Sequence, residues 1–230
     1  MITSLPIFNM FILQENIGGQ IDDFTIGALF EKILSDDTKK STGAYYTPDY
    51  ICDFISESVL NGKLFPDKLD IPLWINCENY FNSELDQYGF ELKNIKIQET
   101  FAKITNIKIL DPAVGSGHFL ASITNLIIRV YKYIWEASRK YQIKNVLLIN
   151  VSDEKKDLNS FEKFKDIIVF LKKHLFSAVI YGVDINPRAV IIAKIRLLLN
   201  YLDSWDFSFS SYLHPGFLRL NLFTDNSLIG

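Results

Sequence analysis

The stretch ILDPAVGSGHFL, residues 109–120, joins the end of a short apolar run to a loop of small residues and then to an apolar helix pattern. The run at 107–110 is rich in isoleucine and stops at Asp111, which Pro112 follows. Short apolar runs bounded by turn-forming residues are typical of buried strands. The pattern predicts a strand at 107–110, a glycine-containing loop after it, and a helix from about 118 to 134.

The same order of elements recurs further along the chain. AVIYGV at 178–183 is a second strand candidate, which ends at Asp184 and is followed by an apolar helix pattern. FLRLNLF at 217–223 is a third candidate, and Asp225 and Asn226 follow it closely. Strands that alternate with helices and end at polar residues predict an α/β fold with a doubly wound parallel sheet.

The rest of the chain reads mainly as helix. Residues 21–35 have helical apolar spacing, within an amino-terminal helical segment at 1–40. A further helix begins near Thr47, a good N-cap, with Pro48 in its first turn. Its apolar stripe consists of Ile51, Phe54, Ile55 and Val59. We expect helical inserts at about 61–106 and 135–176.

The composition of the chain excludes some classes of protein. The 230 residues are 48% hydrophobic and 22% charged, which excludes a disordered chain, and the net charge of −3 does not by itself indicate nucleic acid. No apolar run is long enough to span a membrane. The two cysteines, Cys52 and Cys77, have no paired spacing, so we expect a reducing, cytoplasmic setting. His and Cys lack the spacing of metal ligands, and no metal site is expected.

The loop after the first strand predicts a particular kind of ligand. Gly115 and Gly117 allow a tight turn and a close approach of ligand to backbone. A dinucleotide fingerprint would need a third glycine where Leu120 stands, and a P-loop would need a lysine where His118 stands. The carboxylate of Asp111 instead suits a ligand with a cationic amine. A lone Gly-x-Gly is also compatible with an ordinary strand-to-helix turn.

Asp184 is the second candidate ligand residue. An acid at the end of the second strand can accept hydrogen bonds from both hydroxyls of a ribose. The alternative is that Asp184 or Asn186 only caps the next helix, which Pro187 opens. The acid follows the glycine loop at far more than the roughly 20 residues of a dinucleotide fold, so the crossover must contain inserted elements.

Three strings in this order carry a resemblance to a known family. KKSTGAYYTPDYICDFI at 39–55, ILDPAVGSGHFL at 109–120 and YGVDINPRAVIIAKIRLLL at 181–199 resemble motifs X, I and II of the DNA adenine-N6 methyltransferases of type II and fused type IIG restriction–modification systems. NSLIG at 226–230 is similar to the motif III region. The resemblance implies a Rossmann-like class I methyltransferase sheet. It would be incomplete, with its first three strands, in a partial domain over 41–230.

The resemblance also implies S-adenosylmethionine (AdoMet) as the cofactor, together with roles for individual residues. Thr47 would close over the methionine end, Asp184 would take the ribose hydroxyls and Ile185 would pack on the adenine. Asn226 would face the adenine amino group, with Asp225 as the alternative. The residues that would line the methionine and its amino group are Asp111, Ala113, Gly115 and Gly117.

One part of the family pattern is absent from the sequence. The catalytic string Asn/Asp-Pro-Pro-Tyr/Phe does not occur, and the sole Asn-Pro is Asn186-Pro187, inside motif II. No catalytic residue is therefore assigned. Double-stranded DNA would be contacted through a carboxy-terminal half that this chain lacks. A complementary methylase or restriction polypeptide is a further expected partner, and an inactive or split methylase fragment is the alternative function.

The absence of the later strands from this sequence is expected to affect the edge of the sheet. Strand 107–110 would have an open edge, so we expect weak cofactor binding and self-association.

Pro66-Asp67 with Glu91 and Lys93 matches the pattern of a nuclease, as in a nuclease-containing restriction subunit. A nicotinamide-dependent oxidoreductase is disfavoured by Leu120 and by the distance to Asp184.

Overall fold

The computed structural model describes residues 47–82, 89–143, 147–151, 154–204 and 218–228. The predicted amino-terminal helical segment at 1–40 lies outside the described residues, as do parts of the first and last motif strings. The helices are α1 (Asp49–Leu64), α2 (Leu73–Asn82), α3 (Gly89–Asn106), α4 (His118–Lys140), α5 (Lys165–His174) and α6 (Pro187–Leu202). The strands are β1 (Ile109–Asp111), β2 (Leu148–Val151), β3 (Glu154–Asp157), β4 (Ile180–Asp184) and β5 (Asn221–Thr224).

The three predicted strands form one parallel sheet in the order β1–β4–β5. Leu110 pairs with Tyr181 across the first two strands, and Val183 pairs with Phe223 across the second two. Each strand ends one residue later than predicted, so Asp111 and Asp184 are themselves the last strand residues. The result is a mixed α/β structure that is compatible with a Rossmann-like fold, as the sequence predicted.

Helix α4 forms the centre of the helical packing. It contacts α1, α2, α3 and α6, and it buries Leu120, Ile127 and Ile134 almost completely. The helix extends beyond the predicted end near residue 134, to Lys140, with two basic residues in its last turn. Cations at a helix carboxyl terminus interact favourably with the helix dipole, which supports this longer helix.

The segment at 61–106 contains α2 and α3, and residues 83–88 between them lie outside the described residues. The insert at 135–176 is not purely helical, and this prediction is corrected. β2 and β3 form an antiparallel hairpin in which Ile149 pairs with Lys156. Ile149 and Val151 are buried while Leu148 and Asn150 are exposed, so this short segment has the alternation of a half-buried strand.

The helix after Thr47 differs from the prediction in two respects. Pro48, not Thr47, occupies the N-cap position, and its carbonyl accepts from the backbone N–H groups of Ile51 and Cys52. The predicted apolar stripe is mostly exposed: Phe54 is 70% exposed and Val59 is 59% exposed. The face of α1 that packs inward carries other apolar residues together with polar ones, and its buried residues include Cys52, Ser56, Leu60 and Asn61.

Within the described ranges, no helix has both the length and the apolar character needed to cross a membrane.

Candidate functional site

The carboxyl ends of β1 and β4 bring the two predicted acidic residues to one edge of the sheet. Asp111 pairs with Gly182 in the strand register, and β4 continues two residues further to Asp184. The Asp184 carboxylate accepts a hydrogen bond of 2.8 Å from the backbone N–H of Gly115. Residues that are far apart in the sequence therefore meet around one loop, as expected for neighbouring parallel strands.

The glycine loop is held in a backbone conformation that disfavours other residues. Gly115 has φ +51° and Gly117 has φ +80°, both in the left-handed region. A Cβ at Gly117 would lie 3.0 Å from Ala193 of α6, so the loop and this helix are in direct backbone contact. The backbone N–H of Val114 also donates to the carbonyl of Val183, at 2.9 Å. The loop is thus fixed to both β4 and α6.

Asp111 has one carboxylate oxygen with a partner and one without. Its Oδ1 accepts from the backbone N–H of Ala113 at 3.0 Å. Its Oδ2 is buried and has no hydrogen-bond partner. Burial raises the pKa of Asp111 above its usual 3.8, the hydrogen bond from Ala113 opposes the shift, and the nearby charge of Asp184 raises the pKa further. An unpartnered buried carboxylate oxygen is costly, and a cationic donor would relieve that cost.

Asp184 connects three parts of the site. Besides the bond to Gly115, its Oδ1 accepts from the backbone N–H of Asn186 at 2.8 Å. Its own carbonyl accepts from the backbone N–H of Asp225 at 3.0 Å, just after β5. Because each carboxylate oxygen has two lone pairs, both oxygens of Asp184 keep capacity for a further donor. Asp184 is therefore both a loop anchor and a candidate ligand residue.

Two further predicted residues lie on neighbouring positions of the same edge. Ile185 directly follows β4 and is 66% exposed. Asn226 follows β5, but its side-chain oxygen accepts from the backbone N–H of Leu228 at 3.0 Å. The Asp225 carboxylate accepts from the backbone N–H of Asn226 at 2.8 Å. Both candidates for the adenine contact thus make local turn bonds.

Within the part of the chain that the structure describes, Thr47 is connected to the glycine-loop region through the helix that follows it. It immediately precedes α1, and its carbonyl accepts a weak bond from the thiol of Cys52 at 3.6 Å. One turn into α1, the carboxylate of Asp53 accepts a 2.6 Å hydrogen bond from Ser122. Ser122 lies in the first turns of α4, which begins directly after the glycine loop. This bond fixes the beginning of α1 against the helix that the loop opens.

Sequence reasoning missed Arg196 of α6. Its side chain is 1% exposed, and its Nε donates to the carbonyl of Ser116 at 2.9 Å. Another guanidinium nitrogen lies 3.0 Å from Nδ1 of His118. The signal in the sequence was a basic residue between Ile195 and Leu197 in an apolar helix, but such a residue is usually placed at the surface.

The residues that matched a nuclease pattern lie on two different elements. Pro66 and Asp67 form a turn after α1, while Glu91 and Lys93 lie on α3. Lys93 is buried, and its ammonium donates to the carbonyl of Phe81 and to the hydroxyl of Tyr141. Among the described residues, no group of three or more His, Cys, Asp or Glu side chains could hold a metal ion.

A cavity of about 520 Å³ lies elsewhere, between α1, α2 and α4. Trp74, Tyr133 and Arg129 are among its lining residues. None of the sequence-predicted cofactor residues lines this cavity. It is therefore separate from the edge formed by Asp111, Gly115 and Asp184.

The chain is similar to one larger curated protein. A protein of Methanocaldococcus jannaschii, provisionally named as a type II restriction enzyme and methyltransferase, is 32% identical over 218 residues. The match covers 89% of this chain and 16% of that protein, so the chain spans about a sixth of the length of the relative. No protein-family model matches the chain.

Proposed function

We propose that this chain is the cofactor-binding portion of a restriction–modification methyltransferase, and that its cofactor is S-adenosylmethionine. We further propose that the complete enzyme is a site-specific DNA methyltransferase that modifies the N6 amino group of adenine. The observation that carries the proposal is the unpartnered buried Oδ2 of Asp111, beside Asp184 and under a glycine loop. The similarity to the Methanocaldococcus jannaschii protein supports the restriction–modification class.

The donor and acceptor set fits the amino acid end of this cofactor. The free oxygen of Asp111 is suited to the α-ammonium group, since a buried carboxylate binds a cation strongly when it is otherwise unpaired. Ala113, Gly115 and Gly117 would line the methionine part, because glycine allows a ligand to approach the backbone. Thr47, next to α1, would close over the same end. The bound cofactor would supply a methyl group on a sulfonium.

The nucleoside end would be held by the neighbouring strands. Asp184 would accept from the ribose hydroxyls with its remaining lone pairs. Ile185, which is largely exposed after β4, would pack its apolar side chain on the adenine ring. Asn226 or Asp225 would bind the adenine amino group after exchanging a local turn bond for the ligand.

The methyl acceptor would be held by residues that this chain does not include. The Asn/Asp-Pro-Pro-Tyr/Phe string is absent from the sequence, and the chain spans 16% of its relative. We propose that double-stranded DNA binds through other parts of the full-length protein, or through a complementary methylase or restriction polypeptide. The alternative is an inactive or split methylase fragment, which would use the same cofactor site.

Isothermal titration of the 230-residue chain with S-adenosylhomocysteine tests the proposal. We expect saturable binding that NAD does not compete with, and a loss of affinity of about tenfold or more in Asp111→Asn, which removes one charged hydrogen bond. Glu91→Gln, at an exposed position on α3, is the matched control and should bind as the wild type does. Absence of binding at millimolar ligand, or equal binding by the Asp111→Asn variant, would contradict the proposal.

A further inference from the structure

We infer that Arg196 is a positioning residue for the proposed cofactor site, and that it acts by holding the glycine loop in its ligand-ready shape. The inference rests on the proposed function and adds a residue that lies within the string at 181–199 but has no role assigned above. Arg196 lies on α6, while the loop precedes α4, so the residue connects two elements on opposite sides of a long crossover. Its side chain is 1% exposed and lies among buried residues.

The first contact is with the loop backbone. The Nε of Arg196 donates to the carbonyl oxygen of Ser116 at 2.9 Å. Ser116 stands between Gly115 and Gly117, the two residues with positive φ. A fixed carbonyl at this position limits rotation of the peptide group that joins Ser116 to Gly117. Charge-assisted hydrogen bonds are stronger than neutral ones, so this contact is well suited to holding a flexible loop.

The second contact is with the first residue of α4. A terminal guanidinium nitrogen of Arg196 lies 3.0 Å from Nδ1 of His118. A guanidinium can only donate, so Nδ1 accepts and the imidazole carries its proton on Nε2. The planar guanidinium of Arg196 thereby bonds both to the carbonyl of Ser116 and to the first residue of α4, and its fixed shape sets their relative position. Lysine has no equivalent planar pair of donors.

The third observation is the packing of α6 against the same loop. Ala193 lies one turn before Arg196, and a Cβ at Gly117 would approach its Cα and Cβ to 3.0 Å. The small side chain of Ala193 brings the helix close enough for the Arg196 bonds. On the other side of the loop, Gly115 donates to Asp184. The loop is therefore held from α6 and from β4, and Arg196 supplies the polar contacts of the α6 side.

The experiment combines amide hydrogen exchange with ligand titration on the full 230-residue chain. In the ligand-free chain, Arg196→Met should raise exchange of the amides at 115–118 about tenfold or more and leave the amides of β4 protected. S-adenosylhomocysteine should bind about 10- to 100-fold more weakly, the range that corresponds to losing charge-assisted hydrogen bonds. Arg196→Lys should restore only part of both properties.

Two controls separate positioning from general stability. Leu202→Ala removes buried volume from the end of α6, away from the loop, so it should lower overall stability but keep the loop protection and the affinity. Lys194→Met changes an exposed basic residue of the same helix and should change neither property. If Arg196→Met does not fold, His118→Leu removes one of the two bonds and should show the same changes to a smaller extent.

The outcomes also separate this inference from the proposed function. If the wild-type chain does not bind S-adenosylhomocysteine, the proposed function fails, and the exchange measurement still decides whether Arg196 holds the loop. If Arg196→Met and His118→Leu leave both loop exchange and affinity unchanged, the inference is overturned. It is also overturned if Leu202→Ala loosens the loop as much as Arg196→Met does.

Discussion

The carboxyl edge of the parallel sheet and the outer face of α1 show two different relations between sequence and structure. At the sheet edge, the backbone N–H of Gly115 donates to Asp184 and that of Ala113, in the same loop, donates to Asp111, and the residue types indicate this arrangement. On α1, Phe54 and Val59 belong to an apolar stripe with helical spacing, yet both are largely exposed. The residue types of a polar motif indicate which groups will bond to one another. An apolar stripe indicates only that one face of a helix can pack, and not whether another element covers it.

The largest expected effect is at Gly117. Gly117→Ala combines a left-handed φ of +80° with a Cβ that would lie 3.0 Å from Ala193, so we expect a loss of about 3 kcal/mol in unfolding free energy. Gly115→Ala is the matched control, because φ is +51° but the nearest atom is 3.9 Å away. There we expect about 1 kcal/mol. Urea unfolding of both variants measures the difference, and equal losses would contradict the close packing of α6 on the loop.

The next effect is at the loop anchor. Asp184→Asn cannot accept from both Gly115 and Asn186 without turning its amide hydrogens toward one of these donors, so we expect a loss of about 2 kcal/mol in unfolding free energy. Asp225→Asn, at an exposed position, is the matched control and should change stability by less than about 0.5 kcal/mol. Chemical denaturation followed by circular dichroism measures both values. Similar losses in the two variants would mean that Asp184 is not a structural anchor.

A pH dependence distinguishes Asp111 from an ordinary surface acid. Its pKa is raised by burial, so the folded chain binds this proton more tightly than the unfolded chain does. In the window above 3.8, stability without ligand should therefore fall as the pH rises through the raised pKa, and this component should be absent in Asp111→Asn. Affinity for S-adenosylhomocysteine should change in the opposite sense, because an ammonium group prefers the ionised carboxylate.

Unfolding curves and titrations at several pH values measure these two trends. The difference between wild type and Asp111→Asn isolates the contribution of this carboxyl from that of the other acidic groups. A wild-type affinity that stays constant down to the ordinary carboxyl pKa would show that Asp111 does not bind the ammonium group.

The smallest effect is expected on α1. Phe54→Ser removes an apolar side chain that is already 70% exposed, so the unfolding free energy should change by no more than about 0.5 kcal/mol. Leu60→Ala, on the inward face of the same helix and 1% exposed, is the matched comparison and should cost about 2–5 kcal/mol. Thermal unfolding of the two variants measures the contrast. A large loss in Phe54→Ser would show that another part of the chain covers this face in solution.

The sheet was predictable because each strand has a strong local boundary. β-branched and apolar residues run directly into Asp111 and Asp184, and the loop or helix that follows each acid has its own turn signal. The prediction of which residues meet then follows from parallel pairing alone. The hydrogen bond from Gly115 to Asp184 shows that the loop after β1 and the end of β4 are in contact, as parallel pairing predicts. Whether these residues bind the cofactor stays a prediction.

The hairpin and Arg196 were not predictable in the same way. In β2–β3 the alternating pattern covers only Leu148 to Val151, and the partner strand EKKD is entirely polar or charged. Such a strand is identified by its pairing, which the sequence does not show. Arg196 is buried because Ser116 and His118 receive its donors, and those partners belong to a distant part of the chain.

The bond between Gly115 and Asp184 makes ligand recognition depend on both ends of the long crossover. In the folded chain, the glycine loop includes a bond to Asp184, which lies 69 residues further along the sequence than Gly115. A molecule that recognises this shape binds the native state and not the unfolded one, so it protects the chain from denaturation in proportion to its saturation of the site. Resistance to heat or to proteases in the presence of S-adenosylhomocysteine would therefore measure the fraction of chains in which the glycine loop and β4 are correctly folded together.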